Sequence, residues 1–250
     1  MNRIQKIKNY YNWGGRFLTD PYHIRVQKLN EAEGVKNPKR FDIINFLLAT
    51  FDHPTTYLEI GVRNPNDNFN KIVADTKYSV DPGIEFKENP VDFKVTSDAF
   101  FDELRNGSFL EKSILFDVIF IDGLHLAEQV DRDIDNALQF LKEDGFVVLH
   151  DCNPLTEWHA REEHNYTISP AGQQWNGTTW KAFLKARYRI DTTSCCIDTD
   201  WGVGVISKDK KLGVAPTTQN AFYEFGVMDK NRKDQLGLVD FEALKAVFEK

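Results

Sequence analysis

From residue 55 onward, short apolar runs alternate with stretches of helical spacing. Residues 57–62 (YLEIGV), 78–81 (YSVD), 116–122 (FDVIFID) and 145–150 (GFVVLH) read as strands, with a weaker one at 93–96. Those at 116–122 and 145–150 are continuously apolar, which is what a parallel sheet covered on both faces demands. Between them Leu126, Val130, Ile134, Ala137, Leu138 and Leu141 recur at helical spacing, with Gly145 as the terminator. Residues 66–75 read as a shorter helix with Phe69, Ile72 and Val73 on one face, 180–186 as another, and a last helix starts at about Phe241. Strands near 188–192 and 202–206 complete the sheet. Strand and helix in alternation predict βαβ units, hence an α/β fold around a mostly parallel sheet. The predicted organisation is a basic helical extension over 1–50, an α/β domain over 51–210 with an insertion at about 155–180, and a helical tail over 211–250.

Composition changes this picture little. With 250 residues, 41% hydrophobic and 28% charged, the chain is that of a folded globular domain, which excludes disorder as its main state. No apolar run approaches the ~18 residues of a membrane span, and the first thirty residues lack the apolar core of a signal peptide. A cytoplasmic protein is expected. Cys152, Cys195 and Cys196 form no CxxC pair, and so read as packing thiols rather than zinc ligands or a redox dithiol. Charge says more. The net −7 argues against general nucleic-acid binding, yet residues 1–40 hold nine Lys or Arg against three acids, +6, leaving −13 for the remainder. An anionic group or a membrane surface could meet that arm; a solvated helix face packed through Tyr10, Tyr11, Trp13 and Phe17 is the simpler reading.

In an open α/β sheet, ligands bind beyond the carboxyl ends of the strands, and the polar residues gather there. Gly61, Arg63, Asn64 and Asn66 follow the first strand, Asp81 ends the second, and Ser97 and Asp98 follow the third. Asp122, Gly123 and His125 follow the fourth, and His150, Asp151 and Asn153 the fifth. Carboxylates and an amide from adjacent strand ends are hard oxygen ligands, which favour Mg²⁺, Mn²⁺ or Ca²⁺ over zinc. A neutral histidine beside them could take a proton from a hydroxyl. Plainer roles compete: Asp122 as a helix cap, Asp151 and Asn153 as turn residues before Pro154, Asp81 as a turn residue before Pro82, and Glu59 as a buried acid satisfied by backbone amides. The aromatic insertion, with Trp158, Trp175 and Trp180, could stack on a flat acceptor or merely cover the sheet edge.

On the paired IDGLH and HDCNP motifs, and on LEIG at the first strand, the chain resembles the class I S-adenosylmethionine-dependent methyltransferases, within them the bacterial sugar O-methyltransferase-like group. The segments NGTTWKAF and DTDWGVGVI extend the likeness more loosely. The resemblance implies a Rossmann-like, doubly wound, seven-stranded sheet. It implies S-adenosylmethionine bound by Glu59, Gly61, Arg63, Asn64, Asp81, Ser97, Asp98 and Asp122, and His125 as the catalytic base. It also implies a divalent metal, Mg²⁺ or Mn²⁺, on Asp122 and Asp151 with Asn153 or His150 as a third ligand. A small-molecule or saccharide acceptor, as in polysaccharide biosynthesis, and assembly as a homo-oligomer are in keeping with that family. One departure stands out: the first loop, GVRNPNDN, has a single glycine, and left-handed backbone at Asn64 and Asn66 is expected to compensate. Three rivals remain: an NAD-dependent oxidoreductase, against which the lone Gly61 and the lack of a YxxxK segment count; a catalytically silent binding protein on the same fold; and a metal-dependent hydrolase, against which the lack of an HxxxH pair counts.

Overall fold

The structure, a computed structural model, describes residues 2–85 and 89–249. Three helices open the chain, α1 (Arg3–Phe17), α2 (Pro21–Gly34) and α3 (Arg40–Leu48). Strands β1 (Thr56–Ile60) and β2 (Thr76–Val80) follow, then helix α4 (Ser97–Asn106), strand β3 (Phe116–Ile121), helix α5 (Ala127–Phe140) and strand β4 (Leu141–Leu149). Helix α6 (Thr179–Arg187), strands β5 (Thr193–Ile197) and β6 (Val203–Ser207), helices α7 (Phe225–Lys230) and α8 (Arg232–Leu236), strand β7 (Leu238–Val239) and helix α9 (Phe241–Ala246) complete it.

Among the described residues the strands form one seven-stranded sheet, ordered β2-β1-β3-β4-β6-β5-β7. β1 to β4 are parallel, and β6 runs antiparallel between β4 and β5. Because side chains alternate across a strand, Leu58, Ile60, Ile119, Ile121, Val147 and Leu149 pack under α4, α5 and α6, where Phe100, Phe101, Ile134 and Phe183 meet them. Tyr57, Val118, Phe120, Phe146 and Val148 face the other way, against Ile43, Ile44 and Leu47 of α3 and Leu244 of α9. Burying both faces is what the continuous apolar runs at β3 and β4 require. The expected doubly wound α/β sheet is therefore present. Since β1 lies between β2 and β3, the order in which strands are added reverses there, and the crevice above β1 and β3 is the place such a sheet offers a ligand.

Several local expectations are corrected. Residues 66–75 form only a 3₁₀ turn, Phe69–Lys71. Asn and Asp side chains in this stretch compete with helix hydrogen bonds, and the backbone groups find outside partners: Asn45 donates to Lys71 O and accepts from Val73 N, while Lys77 donates to Phe69 O and Ile72 O. Val73 is exposed instead of packed. The strand expected at 93–96 shrinks to a single bridge, Val80 to Phe93. There the Asp92 carboxylate takes the Ser79 N–H and hydroxyl at 2.9 and 2.7 Å, in place of a longer ladder. Strand β7 supplies the seventh strand. α6 runs to Arg187, so the strand expected at 188–192 begins only at Thr193. Gly145 does not end a helix: α5 passes directly into β4, and Gly145 sits inside the strand, where a Cβ would lie 2.8 Å from Asp117 O and 2.9 Å from the Leu141 side chain.

Candidate functional site

The carboxyl ends of β3 and β4 bring four titratable side chains into one buried cluster. His125 Nε2 lies 3.1 Å from Asp122 Oδ1, and His125 Nδ1 lies 3.3 Å from Asp151 Oδ2. His150 Nδ1 is 3.3 Å from both Asp122 Oδ1 and Asp151 Oδ2. Two residues absent from the sequence reading close the ring. Asp200, after β5, lies 3.6 Å from His150 Nε2, and Arg40, at the start of α3, donates to Asp200 Oδ2 through its backbone N–H at 3.0 Å and through Nη1 at 3.2 Å. Arg40 Nε is 3.8 Å from Asp122 Oδ2.

Electrostatics follow from this packing. Burial works to raise the Asp122 carboxyl, but His150, His125 and Arg40 outweigh it and hold it far below the usual carboxylate range. Asp200 is held low in the same way by His150 and Arg40. Burial disfavours charge on both imidazoles, yet Asp151 and Asp122 prevail, so His125 is raised and His150 raised well above its ordinary value. The cluster favours cations, whether protons or a metal.

The backbone beneath it is unusual for non-glycine residues. Asp151, Asp200 and Trp201 have positive φ, at 61°, 47° and 66°, the kind of strain that accumulates at functional sites. Asn176 from the insertion donates to Asp151 Oδ1 at 2.8 Å and to Trp201 O at 3.2 Å, bridging two of the three. The insertion also holds His125 directly. Trp175 stacks on the imidazole with centroids 5.1 Å apart, and Thr178 N donates to His125 O at 2.7 Å. A Cβ on Gly177 (φ +61°) would lie 2.1 Å from His125 O and 2.7 Å from His125 Cβ, so only glycine lets this strap close. Arg161 gathers the insertion itself by donating to the carbonyls of Trp158, Gln174 and Gly172. Trp180 is core, packed edge-on to Phe225.

Asn153 is not brought to the cluster. Its Oδ1 accepts from Arg232 Nη1 at 2.6 Å and its Nδ2 donates to Asp198 Oδ1 at 3.1 Å, which leaves no amide oxygen for a metal. Asp122, His125 and Asp151 instead offer three ligand atoms within 4.8 Å of one another, two hard oxygens and an imidazole nitrogen. That set fits Mg²⁺ or Mn²⁺ with open positions.

The crevice above β1 and β2 is built differently. Gly61 has φ +91°, and a Cβ there would lie 2.3 Å from Asp122 O, so the first glycine lets the β1 and β3 loops touch at the reversal point. Glu59 is buried, with Oε2 accepting from Tyr57 Oη at 2.6 Å and Asn68 Nδ2 at 2.8 Å; side chains satisfy it, not backbone amides. Burial pushes its carboxyl up to about 7. Neither Asn64 nor Asn66 is left-handed; the loop turns by Asn66 N donating to Asn64 Oδ1 at 3.2 Å. Arg63 is exposed near Asp67 and Glu85. Asp81 Oδ1 accepts from Gly83 N at 2.6 Å, and Ser97 and Asp98, at the start of α4, both accept from Gln129 Nε2 at 3.1 Å. The Asn89 side chain donates to Val62 O while its buried Oδ1 is without a partner among the described residues. An orphaned acceptor beside the first loop fits a cofactor amine or hydroxyl.

Residues 32–152 match the family model described as a methyltransferase domain. No curated relative matches the sequence. Similar solved structures include an O-methyltransferase from Bacillus cereus in complex with S-adenosylhomocysteine, 17% identical, covering 76% of this chain and 91% of that one at a TM-score of 0.40. Another is the O-methyltransferase TomG from Streptomyces achromogenes in complex with S-adenosylmethionine, at 14%, 76%, 90% and 0.43. A third is the S-adenosylhomocysteine-bound methyltransferase PaMTH1 from Podospora anserina, at 14%, 81%, 96% and 0.41. The family match spans β1 to β4 and takes in Asp122, His125, His150 and Asp151, so the part of the chain that carries the cluster is similar to a methyltransferase domain, and the seven-stranded, mostly parallel sheet is the Rossmann-like fold expected of one.

Proposed function

We propose that the protein methylates a hydroxyl of a small-molecule or saccharide acceptor, using S-adenosylmethionine and a divalent cation. The observation that carries this reading is the His125 cluster, an imidazole fixed between two carboxylates at the strand ends beside the crevice where the β1 and β3 loops meet. S-adenosylmethionine supplies a methyl on a sulfonium, from which sulfur departs as a neutral thioether. Asp122 and Asp151 would hold the divalent cation through their carboxylates, leaving the His125 imidazole as the base, and the ion would supply the charge that lowers the pKa of an acceptor hydroxyl. His125 accepts the hydroxyl proton as the oxygen takes the methyl, and passes it to solvent. Asp122 and Asp151 stabilise the imidazolium so formed, and the Trp175 stack keeps the ring in place. Asp81 and Asn89 would hold the cofactor, through its hydroxyls and its amine. In this assignment Glu59 shapes the floor of the crevice from within the core and does not touch the cofactor's amino group.

Calorimetric titration with S-adenosylhomocysteine, S-adenosylmethionine and NAD, each with and without Mg²⁺, tests the cofactor half. Micromolar binding of the adenosyl compounds with NAD inert is expected. Binding of NAD alone would overturn the reading in favour of an oxidoreductase, and a folded protein that binds none of them would be a silent member of the fold. Asp151→Ala should abolish any Mg²⁺ effect on turnover; unchanged Mg²⁺ dependence would remove the metal from the assignment.

A further inference from the structure

The part of the chain that the site does not use is α1. None of its residues is buried, and no atom would meet a Cβ within 4 Å on Gly14 or Gly15. A ring contact of Phe17 with His23, 4.6 Å between centroids, links its last turn to α2. Such a helix is marginal by itself in water, since it is short, carries a mid-helix Gly-Gly pair and gains nothing from packing. Its apolar side chains are nonetheless ordered in space. At 100° per residue, Ile4, Ile7, Tyr10, Tyr11, Trp13 and Phe17 occupy one half of the helix surface, and all are exposed, Tyr11 at 82% and Trp13 at 62%. Gln5, Lys8, Asn9, Asn12 and Arg16 occupy the other half, while Arg3 and Lys6 fall within the apolar half, where their long stems can carry the charge out to its edge.

We infer that α1 is an interfacial helix that seats this protein on an anionic lipid surface. Charge decides between surfaces. α1 carries Arg3, Lys6, Lys8 and Arg16, and no acid occurs before Asp20, so the helix is uniformly cationic although the chain as a whole is −7. An amphipathic helix with aromatic residues on its apolar half and Lys or Arg around it buries the first at the headgroup boundary while the second meet anionic lipid. A second copy matches it less well. Paired through their apolar halves, two α1 helices would bring Arg3 and Lys6 of each copy into the contact, with no acid on α1 to meet them. Exposed apolar residues of the body, among them Leu124, Tyr166, Ile168, Ile190, Val214 and Phe222, lie in loops and do not recur at the helical spacing that a facing stripe needs.

The test is flotation of the full-length protein with vesicles of phosphatidylcholine alone and of phosphatidylcholine mixed with phosphatidylglycerol, together with analytical ultracentrifugation without lipid. The expected result is flotation with the mixed vesicles only. It should weaken by about 30-fold in Lys6→Gln/Lys8→Gln, from the usual contribution of two cations near an anionic surface, and be lost in Tyr10→Ala/Trp13→Ala. All four side chains are exposed, so thermal unfolding of both variants should match the native protein, which separates lost binding from lost fold. No flotation with either vesicle, or equal flotation with both, overturns the inference. So does a native dimer that the Tyr10→Ala/Trp13→Ala variant converts to monomer without any lipid binding, because a second copy would then cover this face.

Discussion

The two ends of the crevice are made of different material. At β3 and β4 the polar residues touch one another: Asp122, His125, His150 and Asp151 lie within 3.3 Å in a chain of contacts, and Arg40 and Asp200 close it from distant segments. At β1 and β2 they are spread along loops. Arg63 is open to solvent, Asp81 serves a local turn, and Ser97 and Asp98 share Gln129 of α5. A prearranged, buried cluster is what proton transfer and charge development require, since its dipoles need not reorganise during reaction. A binding surface can remain loose and let the ligand complete it.

Changes at the two ends should therefore fail in different ways. The largest effect is expected for His125→Ala, with turnover lowered by about 10² to 10⁴-fold while calorimetry finds S-adenosylhomocysteine affinity unchanged; equal loss of both would mean the two ends are not separable. In the native enzyme kcat/KM should rise with pH. His125 is raised above its ordinary 6.5 by Asp151 and Asp122, so the free base forms only at higher pH, and added Mg²⁺ should move the inflection down because a neighbouring cation disfavours imidazolium. Next is Gly177→Ala, which puts a methyl against His125 O. A displaced base should cost about 10²-fold in turnover, with a lower melting temperature and cofactor affinity intact.

Glu59→Gln probes the core beneath the cofactor end. A carboxyl raised in the fold from 4.5 to about 7 is better protonated there than in the unfolded chain, so stability falls as pH climbs from about 4.5 to about 7 and then levels. Urea titrations at about pH 5 and about pH 8 should show this loss reduced by about 2 to 3 kcal/mol in the glutamine variant. An unchanged pH dependence would mean that Glu59 is ionised without cost. The smallest effect is expected for Asp81→Ala, with cofactor affinity reduced about tenfold and kcat at saturating cofactor preserved. A collapse of kcat instead would erase the distinction between the two ends.

Much of the cluster was visible in the motifs. Asp122 with His125, and His150 with Asp151, are near neighbours in sequence at the ends of two apolar strands, and adjacent parallel strands must bring their ends together. Asn153 misled because residue type at the right spacing says nothing about competitors, and Arg232 had claimed its oxygen. Arg40 and Asp200 were hidden for the opposite reason. They lie 160 residues apart, and only the sign of the DTDWG segment, an acid before an aromatic and a glycine, marked the second. Residues 66–75 show the limit of periodicity, since three apolar positions at helical spacing were overruled by Asn45 and Lys77 supplying the hydrogen bonds from elsewhere.

Side-chain period and strand-end chemistry were enough for the parallel sheet, its burial on two faces and the location of the crevice, because those follow from which residues can leave water and which cannot. Which polar groups share a proton or could share a metal, and which glycine is needed for the strap over His125, was settled by packing in three dimensions. Hydrogen-bond partners and close approaches are pairwise facts between distant segments, and a one-dimensional pattern does not contain them.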